Sequence, residues 1–234
     1  MKKIPTIFQR DPHNLARVTS MPNTEASWVF DGVGNYAIVQ KYDGQCVDIR
    51  PEGLWKRRAL KPGQYYVPDG WEPETDIDFV TGKREGWVPV GEGPENAPLR
   101  EAYQLWCDAQ RLQSRIYPPG EEYFPYGTAE ACGPEINGNP ENLMVHMLFS
   151  HQHAPKFGDL EKVFFENCNF WYPPGCRILP KIAFAVLKAW LSTKDIEGLI
   201  FRHKDGRLAK IKKKDFGLPR KPDTAPGAPR EEET

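Results

Sequence analysis

A lysine precedes an acidic residue and a glycine in Lys41-Tyr42-Asp43-Gly44, and two later segments supply what such a lysine needs for covalent chemistry: Glu197-Gly198-Leu199-Ile200-Phe201 and Lys210-Ile211-Lys212. A lysine amine is a poor nucleophile while protonated. Cationic neighbours, a metal ion or desolvation free its lone pair, and attack on an α-phosphate then becomes feasible. Lys210 and Lys212 are two apart in a strand-like run, so they share a face and bring two positive charges to phosphate groups. The same field favours a neutral Lys41 amine. Glu197 opens the run that precedes theirs, and a carboxylate beside a triphosphate suits a hard divalent cation such as Mg²⁺. Gly44 and Gly198 allow the sharp turn or close backbone approach that a nucleotide pocket requires.

Each segment also has a plain structural reading. Lys41 could be an exposed lysine before a turn, Glu197 to Phe201 a buried edge strand, and Lys210 to Lys212 a solvated strand face. Their order and their common placement on strands favour the chemical reading. His151-Gln152-His153 sets two imidazoles on one strand face at a spacing that can bind zinc, but no nearby Cys or carboxylate motif completes a ligand set, so surface or RNA contact is the better expectation. The seven tryptophans are expected in the core or at a pocket rim. Lys213 and Lys214 are expected to meet backbone phosphates of a substrate.

The elements that must position these residues follow from pattern and punctuation. Residues 36–50 predict strand, Asp-Gly turn, strand. Pro62 to Pro98 is rich in Pro, Gly, Asp and Glu and predicts loops with brief strands. The segment APLREAYQLWCDAQRLQ carries Leu99, Tyr103, Trp106 and Leu112 near helical spacing, a first helix. TAEACG and LMVHMLFSH predict strands around the loop PEINGNPEN. PKIAFAVLKAWLS predicts a second helix behind Pro180, with Ile182, Ala185, Val186, Ala189 and Trp190 on its apolar stripe. GLIF and RLAKIK flank Asp205-Gly206 as a hairpin.

The chain has 234 residues and a formal net charge of -1, so any nucleic-acid contact must come from a local patch. Its five cysteines show neither CxxC spacing nor the density of a disulfide scaffold, which fits a reducing, cytoplasmic setting. The opening MKKIPTIFQRDPHN lacks an apolar signal core, and no run approaches the roughly 20 apolar residues of a membrane span. Residues 1–218 are expected to form one domain, and 219–234, rich in Pro and charge, a disordered tail.

Taken together, Lys41-Tyr42-Asp43-Gly44, Glu197 to Phe201 and Lys210-Ile211-Lys212 resemble motifs I, IV and V of the covalent nucleotidyltransferase superfamily, which contains DNA ligases, RNA ligases and capping guanylyltransferases. Glu130-Ala131-Cys132-Gly133 and the following PEINGNP resemble the motif III region of RNA ligases. VFFENCNF resembles the later strand whose aromatic residue stacks on the base. The pairing of AEACGPEINGNP with EGLIFRHKDGRLAKIKKKDFGL is most similar to small 5′-3′ RNA ligases, over roughly residues 36–217.

The resemblance implies Lys41 as nucleophile, Arg57 or Arg58 as a phosphate contact, Glu130 on the ribose, Glu197 as a metal-linked carboxylate, and Lys210 and Lys212 on the α-phosphate. Phe164 or Phe165 would stack on adenine. Gln40 stands where several ligases carry Glu, in position for a base-edge contact. The implied fold is α+β, the ATP-grasp-like nucleotidyltransferase fold of ligase adenylation domains, with antiparallel sheets and flanking helices. The implied reaction is ATP-dependent joining of RNA ends, with Mg²⁺ or Mn²⁺: Lys41 takes AMP from ATP, AMP passes to an RNA 5′-phosphate, and a 3′-hydroxyl displaces it. A capping guanylyltransferase, a DNA ligase adenylation domain or a non-catalytic RNA-binding module are the alternatives. The short stretch after Asp215 is not expected to hold the OB domain that capping enzymes and most DNA ligases append, an expectation that favours a minimal RNA ligase.

Overall fold

The computed structural model describes residues 4–31, 35–64, 66–79, 81–116, 126–152, 154, 156–158, 160 and 178–220. The chain divides into two compact units, a first of Met1–Lys3 with Tyr42–Ala154 and a second of Ile4–Lys41 with Pro155–Thr234. The architecture is mixed α+β with antiparallel sheets. Among the described residues no helix is long and apolar enough to cross a membrane.

In the second unit, β1 (Phe8–Asp11) pairs with β2 (Asn14–Pro22), two strands to which the sequence patterns gave no pointer. A three-stranded sheet has the order β11-β10-β3, built from β3 (Tyr36–Lys41), β10 (Gly198–His203) and β11 (Leu208–Lys212). The central strand β10 is buried from Gly198 to Phe201, as its apolar run requires. In β11, Ala209 and Ile211 are fully buried while Lys210 and Lys212 lie on the other face, the period of two expected for a half-buried strand. The β10–β11 hairpin turns where the sequence predicts. Gly206 takes a φ of 91°, and the Asp205 carboxylate accepts from the Arg207 amide at 3.0 Å.

The predicted hairpin over residues 36–50 is absent. β3 pairs with β10 and not with its sequence neighbour, which belongs to a different sheet. Gly44 does not take the positive φ that a two-residue hairpin turn needs. Long-range pairing with an apolar central strand overrides the local Asp-Gly signal.

Helix α2 (Pro180–Ser192) starts with proline at its first turn and buries Ala183, Leu187 and Leu191, spaced by four. The predicted stripe is therefore on the wrong side: Ile182, Ala185 and Ala189 are exposed. The two leucines claim the core, and Phe184 and Trp190 flank it. Beneath α2, Phe8, Phe184 and Phe216 meet edge to face, and burial of this cluster with Ile38, Leu199, Phe201 and Ile211 holds the lysine-bearing strands in place.

The first unit carries a six-stranded antiparallel sheet of order β6-β7-β5-β4-β8-β9. Its strands are β4 (Gln45–Arg50), β5 (Gly53–Leu60), β6 (Glu72–Pro73), β7 (Arg84–Pro89), β8 (Gly127–Cys132) and β9 (Met147–Ser150). Helix α1 (Ala97–Ile116) buries Leu99 and Ala102 against Val47, Ile49, Leu54, Ala129, Ala131 and Leu148, with Tyr103 and Trp106 at the margin. Leu112, expected on that stripe, is 60% exposed. Only the end of LMVHMLFSH is strand, and Met144 and Val145 are exposed. Trp28, Trp55 and Trp87 are buried, as expected of core tryptophans.

Candidate active site

The register of the three-stranded sheet brings the chemical residues together. Gly198 in β10 stands opposite Lys41 on one side and Lys212 on the other, so the two lysines occupy one cross-strand row. Ile200 is flanked in the same way by Val39 and Lys210, which puts Lys210 on the same face. Glu197, 8% exposed, lies at the head of the central strand. One of its carboxylate oxygens binds Lys41 Nζ and the other binds Lys212 Nζ. One buried carboxylate thus bridges two ammonium groups, with its desolvation compensated on both oxygens.

Gly198 cannot be larger. A Cβ there would lie 2.2 Å from the Ile211 carbonyl oxygen and 2.8 Å from Lys212 Cα. The glycine lets the lysine-bearing strand close over the row.

Lys210 is the lysine whose charge is most strained. Burial, followed by the positive charges of Lys212 and Lys41, lowers it to about 8, against opposing pulls from Glu197 and Asp215. Gln40 alternates to the opposite face of β3, opposite Leu199 and away from the lysine row.

Two further lysines part company. Lys213 is 2% exposed, and its Nζ donates to the Lys194 carbonyl at 2.6 Å and the Arg220 carbonyl at 2.7 Å. It is a buried tie and not a phosphate contact, because the chain leaves β11 here for a 3₁₀ turn, Lys213–Phe216, that points this side chain inward. Lys214 is exposed. Asp215, also buried, accepts from the Lys212 amide at 2.9 Å and from Arg10 at 2.6 Å, anchoring the end of the lysine strand.

No protein-family profile matches the chain, and no curated protein matches it significantly.

The first unit holds Glu130 and Arg57 on one face of its sheet, opposite the face that packs on α1. Glu130 pairs across the ladder with Cys46 and Phe149, and Arg57 pairs with Trp87. Arg58 alternates to the other face. Arg57 lies 3.4 Å from Glu85 and 4.0 Å from Glu74. Between the two predicted contacts, Cys46 is half-buried, and desolvation reinforced by the Glu130 charge pushes its thiol up to about 12, so it stays protonated.

Glu130 is gripped at both oxygens. Oε1 accepts from the Gly44 amide at 3.3 Å, and Oε2 lies 3.2 Å from His151 Nε2. The segment after Lys41 is held at two more points: the Asp43 amide donates to Glu141 at 3.1 Å, and Asn137 donates to the Gly44 carbonyl at 2.7 Å. A Cβ on Gly44 would come within 2.1 Å of the Ala131 carbonyl oxygen. Tyr42 stacks on Phe149 at 4.1 Å and 14°.

Sequence patterns did not single out Asn137, Glu141 or His151 for these tasks. The signal for the loop was present in PEINGNPEN, where Asn137, Asn139 and Asn142 all take positive φ, a conformation asparagine tolerates better than most residues. His151 lies just beyond β9 and is half-buried, which corrects the expectation of a surface histidine on a strand. His153, Phe164 and Phe165 lie outside the described residues, as does the predicted tail from residue 221. Among the described residues no group of three or more metal-ligating side chains converges.

Proposed function

We propose that the chain is an ATP-dependent RNA ligase of the covalent nucleotidyltransferase type, with Lys41 as the residue that carries AMP. The observation that supports this reading most is the row Lys41, Gly198, Lys212 with Glu197 bridging both lysines and Lys210 on the same face. Lys41 is 156 positions from Glu197, which heads the β10–β11 hairpin that also carries Lys210 and Lys212, and a solvated strand face has no need of such a bridge.

In the first step the Lys41 ammonium leaves Glu197 and gives up its proton to water, and Nζ attacks the α-phosphorus of ATP. The bond to the bridging oxygen breaks, and pyrophosphate departs with the electron pair. Lys212 and Lys210 are disposed to stabilise negative charge that develops on the α-phosphate, so fixed positive charge carries most of the catalysis. An oxygen of an RNA 5′-phosphate then attacks the lysyl-AMP phosphorus and restores the amine. In the last step a 3′-hydroxyl attacks the activated 5′-phosphate and AMP leaves.

Glu197 is a hard oxygen donor, and the oxygen that Lys41 vacates when it turns to the phosphate would be available to hold Mg²⁺. A bound Mg²⁺ would supply charge neutralisation for the leaving pyrophosphate. Glu130 is assigned to the ribose and Arg57 to phosphate on the resemblance of their segments, in a nucleotidyltransferase fold.

Incubation with Mg²⁺ and α-labelled ATP or GTP, followed by denaturing electrophoresis, tests the reading. Label from ATP is expected on the wild-type chain, with a loss of more than about 1,000-fold in Lys41→Ala, as expected when a covalent nucleophile is removed. Label from GTP alone would favour a capping guanylyltransferase. Label from neither would favour a binding module.

A further inference from the structure

We infer that His151 is a positioning residue for Glu130, aiming that carboxylate at a ribose hydroxyl of the bound nucleotide; this rests on the proposed nucleotidyl transfer. Glu130 and Thr128 are two apart on β8 and therefore share the face away from α1. The His151 ring spans both. Nδ1 lies 3.0 Å from Thr128 Oγ1, and Nε2 lies 3.2 Å from Glu130 Oε2. A neutral imidazole satisfies the pair in one way: the Thr128 hydroxyl donates to Nδ1, and the Nε2 proton is donated to Glu130.

The ring is well placed to be a fixed support. Its side chain is 15% exposed and that of Glu130 is 13% exposed, so both are sheltered from water that would otherwise replace the contact. The His151 amide donates to the Thr128 carbonyl at 3.1 Å, which ties the histidine backbone to the strand it braces. With Oε1 taken by the Gly44 amide and Oε2 by His151, the carboxylate has its two outer directions set, and lone pairs remain for one more donor. A ribose hydroxyl is such a donor.

The test measures lysyl-AMP formation as a function of nucleotide concentration for wild type, His151→Ala and His151→Gln, each with ATP and with 2′,3′-dideoxy-ATP. His151→Ala should raise the half-saturating ATP concentration by about 10-fold, the size expected for a hydrogen bond to a charged group, with a much smaller change in maximal rate. With the dideoxy nucleotide the same variant should differ little from wild type, because the hydroxyl that Glu130 serves is gone. His151→Gln keeps an N–H donor near the position of Nε2 and should recover most of the loss.

Equal weakening for both nucleotides would make His151 a general structural support and overturn the inference, as would a His151→Ala curve that overlays the wild type. Thermal melts of both variants accompany the assay, and a His151→Ala defect that His151→Gln shares despite a wild-type melt also overturns it. Absence of label in the wild type overturns the proposed function itself, and the inference with it.

Discussion

In the lysine row of the second unit, charges are balanced by charges: one buried carboxylate holds two ammonium groups, and Lys210 is left partly discharged by burial and by its cationic neighbours. On the Glu130 face of the first unit, a carboxylate is held by a backbone amide and an imidazole. The first arrangement is sensitive to total charge, since moving or neutralising one member alters the field on the others. The second is sensitive to direction, since its donors fix an angle. A phosphoryl-transfer centre needs the former, and a nucleotide-orienting contact needs the latter.

The largest expected break in this contrast is Glu197→Gln. Removing the charge leaves Lys41 and Lys212 without their shared counter-ion, and lysyl-AMP formation should fall about 100-fold, as for loss of a preorganised charged group. The corresponding Glu130→Gln, which keeps shape and loses charge, should be milder and appear mainly in nucleotide affinity. Comparable losses in maximal rate for both would erase the distinction.

A smaller effect, on stability alone, separates the lysines that adjoin one another after β11. Lys213→Met leaves the Lys194 and Arg220 carbonyls without their buried donor and should cost about 1–3 kcal/mol. Lys214→Met removes an exposed charge and should stay within about 0.5 kcal/mol. Denaturant melts of the two variants measure the difference directly, and equal costs would contradict the buried role of Lys213.

The smallest effect is a pH dependence. Lys210 falls from an ordinary 10.5 to about 8 in the fold, so between those values the unfolded chain binds more protons than the native one. Its contribution disfavours folding below about 8, and stability should rise with pH from about 8 towards 10.5. Lys210→Met should flatten that rise in denaturant midpoints taken at pH 7.5 and 9.5. A slope that Lys210→Met leaves unchanged would place the titration elsewhere.

Much of the second unit was legible in the sequence because its signals are local to strands. Alternation in Leu208–Lys212 put Lys210 and Lys212 on one face, and Asp205-Gly206 marked the turn that aligns them with β10. The first unit was less legible. Glu130 could be singled out from its motif, but its partners come from Gly44 and from His151, and no spacing rule links those positions. Local signals also misled: Asp43-Gly44 suggested a hairpin, and α2 turned a different side inward from the one its small apolar residues suggested.

The amino-acid sequence by itself determined which residue types are candidates for the proposed chemistry, the strand periods that orient them, and the mixed α+β class. It did so because period, turn residues and side-chain chemistry are properties of short segments. Tertiary structure alone decided that β3 crosses to β10, that Glu197 bridges Lys41 and Lys212, that Lys213 is buried, and that His151 meets Glu130. Those outcomes depend on which distant apolar surfaces pair and exclude water, and that competition is settled over the whole chain at once.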